Sequence, residues 1–173
     1  MRLLRQLSLA CVLSLSSLSL FAQTGAPQAV SLSALPAGKT VLTVKGTNGV
    51  RKFSIAELEN LGTHRLNTKT FWPADDGTYE GVLLSTILKQ AGIESSEAIR
   101  VRARDGFSQI IPRQDWEKWP ILLATRRAGN AIPTRDKGPL RIIYPRDMSP
   151  ELADTLYRLR WVWLVDLIEP AGK

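Results

Sequence analysis

Apolar and polar residues alternate over Thr40–Lys45 around Val41, Leu42 and Val44, which predicts a strand. Asn48-Gly49 tolerates the positive φ of a tight turn, so Val50–Phe53 should return as its hairpin partner. Ser54 with Glu57 three residues later is a capping-box pattern, predicting a short helix through Ile55, Leu58 and Leu61 that stops at Gly62. Thr63–Gly92 then reads as a strand, an irregular loop (Pro73, Asp75, Asp76, Gly77) and a helix. In that helix Leu83, Leu84, Ile87, Leu88 and Ala91 share a face, and Gly92 closes it. From Ala98 the alternation is strict, with Ile99, Val101 and Ala103 on one side and Arg100, Arg102 and Arg104 on the other.

Asp105-Gly106 suits a hairpin turn into Phe107–Ile111. Asp115–Pro120 reads as a short helix or turn with Trp116 and Trp119 on one face, one of them free to meet a partner. Ile121–Thr125 is a buried-type strand and Arg126–Asn130 a basic turn. Leu140, Ile142 and Tyr144 should face away from Arg141 and Ile143. Ser149-Pro150-Glu151 starts a short helix ending near Leu156, and Tyr157–Trp163 opens a last strand that closes at Glu169. The sum is an α+β domain dominated by strands.

The 173 residues amount to about one domain. Residues 1–22 have the basic start, apolar run and final small residue, Ala22, of a secretory signal peptide, which implies a periplasmic protein. Residues 23–39 read as a flexible Ala/Ser/Pro/Gly leader, leaving 40–173 as a single domain. Cys11, the one cysteine, would depart with the signal, along with Arg2 and Arg5. That leaves 21 basic residues against 16 acidic, an excess scattered along the chain and unlike a nucleic-acid footprint. With one histidine and no remaining cysteine, nucleophilic and acid–base catalysis have few agents, and a metal site would lack soft ligands.

Trp72, beside Pro73, is either a core-edge residue or a flat apolar wall for a ring system. The Arg100, Arg102 and Arg104 row is either a solvated face or a basic patch for an anion or an acidic partner. Asp105 is explained by the turn alone, or by a ligand edge with two adjacent N–H donors, which a carboxylate satisfies with parallel hydrogen bonds.

The order Thr70-x-Trp72, Tyr79-x-Gly81-Val82-x-Leu84, Asp105-Gly106-Phe107, Gly138-Pro139-x-Arg141 and Trp161-Val162-Trp163 resembles the sulfite-oxidase-type molybdopterin-binding domain. More narrowly, it is similar to short exported pterin-binding members. The resemblance spans residues 40–169 and implies that fold, with a pterin, reduced pterins included, as ligand. It implies a ligand site drawn from Thr70, Trp72, Arg104, Asp105, Arg158 and Trp161. In catalytic members a cysteine thiolate ligates molybdenum at a position that falls on Thr68, within a residue or two. A hydroxyl is no equivalent ligand, so no molybdenum is expected. The implied role is a non-catalytic module that reports occupancy to the periplasmic domain of a membrane enzyme of cyclic di-GMP metabolism. The alternative is a molybdopterin-dependent oxidoreductase, or an accessory subunit of one.

Overall fold

The structure, a computed structural model, describes residues 25–171, so the expected signal peptide lies outside the described residues. Eleven strands are described, in two sheets that enclose the core. The first sheet runs β1 (Gln28–Val30), β4 (Thr63–Thr68), β5 (Gly77–Leu83), β8 (Leu122–Arg127), β10 (Arg141–Ile143), with β9 (Asn130–Ala131) also paired to β8. The second runs β3 (Gly49–Phe53), β2 (Leu42–Gly46), β11 (Val165–Pro170), β6 (Ala98–Ala103), β7 (Ser108–Pro112). All pairings are antiparallel except β11 with β2, so the sheets are mixed. Three short α-helices, α1 (Ile55–Glu59), α2 (Leu84–Ala91) and α3 (Arg113–Lys118), complete an α+β domain among the described residues.

Local chemistry explains most of these elements. The Ser54–Glu57 capping box starts α1, with the Ser54 hydroxyl accepting from the Glu57 amide and the Glu57 carboxylate accepting from the Ser54 amide. Leu84, Ile87, Leu88 and Ala91 of α2 are buried, and Gly92 ends the helix in the left-handed region at φ 69°. Gly81 is required by a close approach: a Cβ there would lie 2.1 Å from the Leu123 carbonyl oxygen on β8.

Four expectations are corrected. Gln28–Val30, assigned to a flexible leader, pairs with β4 as an edge strand; three residues are too few to display a period. The segment after Ser149 forms two 3-10 helices, Pro150–Ala153 and Thr155–Arg160, where one short helix and then a strand were expected. The last strand starts only at Val165, because Arg160 is tied to Asp115 and Tyr157 to Glu151, away from any ladder. Trp116 and Trp119 are both buried, so neither is a free anchor for a partner. Arg126 belongs to β8 and is buried against Glu59 at 2.6 Å, and the half-buried Arg127 donates to the Ala74 carbonyl, so neither forms a free basic turn.

Candidate functional site

Three loops meet at one cavity of about 260 Å³. The β4–β5 loop brings Trp72; the β6–β7 turn brings Ala103, Asp105 and Phe107; the segment before β11 brings Arg158, Leu159, Trp161 and Trp163. Four of the six residues expected at a ligand site, Trp72, Asp105, Arg158 and Trp161, are thus brought together from sites up to 89 positions apart.

Thr70 and Arg104 are placed elsewhere. The buried Thr70 hydroxyl donates to the Trp72 carbonyl at 2.7 Å and accepts from the Trp72 amide at 3.0 Å, so its capacity is used in holding Trp72. Arg104 alternates with its neighbours Ala103 and Asp105 and so points to the other side, lining a second groove with Lys39 and Pro139.

The aromatic wall is built from edge-to-face contacts. Trp72 meets Trp163 at 4.7 Å between ring centroids and Trp161 at 6.5 Å, while Phe71 meets Trp161 at 5.9 Å. Tyr144 stacks on Trp161 from behind, at 6.2 Å. Tyr144 is fixed in turn by donating to Asp115 at 2.7 Å, and Arg160 grips both oxygens of the same carboxylate at 2.8 and 2.9 Å. Burial, and then the negative charge of Asp115, push the Tyr144 hydroxyl well above the usual tyrosine pKa, so it remains a donor.

Cations cover the indoles. The Arg158 guanidinium lies 5.6 Å above Trp72, and the Lys137 ammonium lies 4.2 Å from the Trp163 centroid and 5.5 Å from that of Trp72. Lys137 is held by Asp75 at 2.5 Å, and Asp75 also takes the fully buried Arg141 at 2.9 Å. Burial alone would raise the Asp75 carboxyl. The Lys137 hydrogen bond and the charge and hydrogen bond of Arg141 outweigh it and hold the group below the usual aspartate range. Asp75 was read as turn chemistry and Arg141 as one face of an ordinary strand. Only Gly138-Pro139-x-Arg141, as a motif, marked this cluster in the sequence.

Asp105 serves the turn and stands beside the cavity. One carboxylate oxygen accepts from the Phe107 amide at 3.0 Å, as a turn residue does, while the exposed side chain also borders the cavity. Trp163 is half-buried and lines the cavity, as does Phe107. Thr68 is buried and outside that lining, its hydroxyl donating to the Lys69 carbonyl at 3.0 Å.

A two-sheet α+β fold with an aromatic cavity where its loops converge defines a domain of the molybdopterin-binding class. The chain belongs to that family: the model of the oxidoreductase molybdopterin binding domain matches residues 62–161. No curated protein matches the chain.

The residues present fit the organic part of such a cofactor. Flat apolar walls suit a fused ring, with the Arg158 guanidinium and the Asp105 carboxylate at the same cavity to meet its polar rim. The cavity lies a little under the range of about 300–1,000 Å³ usual for drug-sized ligands, room for a bicyclic ring system. For the metal, no group of three or more His, Cys, Asp or Glu is placed to hold an ion among the described residues, and Cys11 lies outside them.

Proposed function

We propose that this protein is an exported, non-catalytic pterin-binding protein that reports ligand occupancy to a membrane signalling partner. One observation carries the reading. Trp72, Trp161, Trp163, Arg158 and Asp105 converge on one cavity in a molybdopterin-binding domain that has threonine where the resemblance puts the metal-ligating thiolate. A pterin enters by displacing the exposed Arg158 side chain from the face of Trp72, and the freed guanidinium then bonds the ligand's polar rim. The oxygen of Asp105 not engaged by Phe107 accepts from the amino-pyrimidinone edge.

Phe107 and Leu159 line the cavity yet are exposed, so occupancy alters the surface around its mouth. That surface is the output, read by the periplasmic domain of a membrane enzyme that makes or degrades cyclic di-GMP. A pull-down from membranes, with and without reduced pterin, should enrich one membrane protein in a pterin-dependent way. Enrichment that ignores pterin removes the reporter role and leaves the binding site standing.

Membership of the family favours a second reading, a molybdopterin-dependent oxidoreductase or its accessory subunit. Elemental analysis of protein from its own host separates the two. Near-stoichiometric molybdenum supports the oxidoreductase, and bound pterin without it supports the sensor.

A further inference from the structure

The second sheet has one face against the core and one that carries exposed side chains around the buried Leu167, which opposes Thr43 and Arg102. Register identifies the other positions on that face. Thr43 opposes Lys52, Lys45 opposes Val50, Arg100 opposes Ile110, Arg102 opposes Ser108 and Glu169 opposes Arg100. Directly opposed residues share a face, so these side chains line one surface across all five strands. Arg51 confirms the alternation by reaching the other way, to the Gln90 carbonyl at the end of α2.

The charges on this face are layered. Lys45, Arg100 and Arg102 have side chains 53, 46 and 49% exposed, whereas the carboxylates they meet, Glu169 and Asp166, are only 25 and 27% exposed. The acids sit low and screen the sheet, while the cations project. Lys52 is also exposed there, and it has no ion-pair partner among the described residues. Val50 and Ile110, on the two edge strands, add exposed apolar side chains at opposite margins.

We infer that this face docks the protein on the surface of an anionic phospholipid bilayer. Protein–protein hot spots favour buried aromatic anchors seated in pockets. None of the strand positions on this face is aromatic, and Trp116 and Trp119 are buried elsewhere. A bilayer needs no such complementarity, because each basic residue near it contributes on its own, about 1 kcal/mol. Long basic side chains can also lay their stems along apolar surface while the charged heads meet phosphates. The inference does not rest on pterin binding, since the face is separate from the cavity lining except at the β6–β7 turn.

The test is co-sedimentation of the protein, purified from its own host, with phosphatidylglycerol or phosphatidylcholine vesicles. Binding to phosphatidylglycerol alone at about 0.1 M salt is expected, with release near 1 M as the screening length falls from about 10 to 3 Å. Lys52→Gln with Arg100→Gln removes two cations yet leaves Glu169 paired with Lys45. Partitioning of this variant should fall about thirty-fold, the equivalent of roughly 1 kcal/mol per charge. Its circular dichroism and pterin titration should match the parent, showing that fold and cavity persist. Equal binding to both lipids, no binding, or an unchanged variant overturns the proposal. So does capture of soluble polyglutamate by a face that ignores vesicles, which would make an acidic protein its partner.

Discussion

Asp75 shows how much one side chain can decide without advertising itself in the sequence. It sits in an Asp-Asp-Gly run that suits a turn, yet Lys137 and Arg141 share its carboxylate, and Arg127 stands 3.8 Å away. Asp75→Asn would leave Arg141 as a buried cation without its anion, and losing one member of such a pair costs about 3–5 kcal/mol. Chemical denaturation at neutral pH should show a loss of that order. Because the folded-state pKa is depressed, this stabilisation is complete above the unfolded value of about 3.9 and is lost as pH falls through the lower folded value. The gap between parent and variant should therefore shrink below about pH 4, and a gap that stays constant would mean that Asp75 is not ionised as described. Asp105→Asn tests the cavity instead. It turns one acceptor oxygen into a donor facing the ligand's own N–H groups, so calorimetry should show pterin affinity reduced about ten- to a hundred-fold. An unchanged affinity removes Asp105 from the site.

At the scale of elements, short-range signals and close approaches shape the chain. The β2–β3 hairpin, the capped α1 and the glycine-terminated α2 follow from neighbours in sequence, and each was legible there. Gly81 is different, because its necessity comes from a strand that lies 42 positions away. Its missing Cβ lets β5 and β8 approach within 2.1 Å of where a methyl would sit. Gly81→Ala should part the two strands at their bulge, costing about 1–3 kcal/mol as over-packing does, measured as a lowered denaturant midpoint. A midpoint equal to the parent's would show that the sheet can yield there. The segment before β11 was misread because its apolar alternation resembles a strand. The Asp115–Arg160 pair and the Tyr157–Glu151 hydrogen bond hold it as a 3-10 helix; Glu151 is six residues from its partner, but Asp115 lies 45 positions from Arg160.

For the whole molecule, the proposed export is open to a direct measurement. Cleavage after Ala22 predicts that the exported protein's intact mass lacks residues 1–22, and a full-length membrane-bound product would overturn the periplasmic placement. Composition by itself determined that catalysis had few agents: one histidine, and one cysteine at position 11. Periodicity determined the α+β class and most element positions, because burial of one face of a strand or helix is written locally at spacings of two or three to four residues. The order of motifs carried the family. What the sequence left open was whether Trp72, Asp105 and Arg158 were neighbours, and the tertiary structure decided that by bringing three loops to one cavity. It also decided that Trp116, Trp119 and Arg126 are internal and that Asp75 and Arg141 form a buried pair. Contacts of that kind depend on which strands lie side by side, and since sheet pairing joins residues far apart in the chain, no local pattern encodes it.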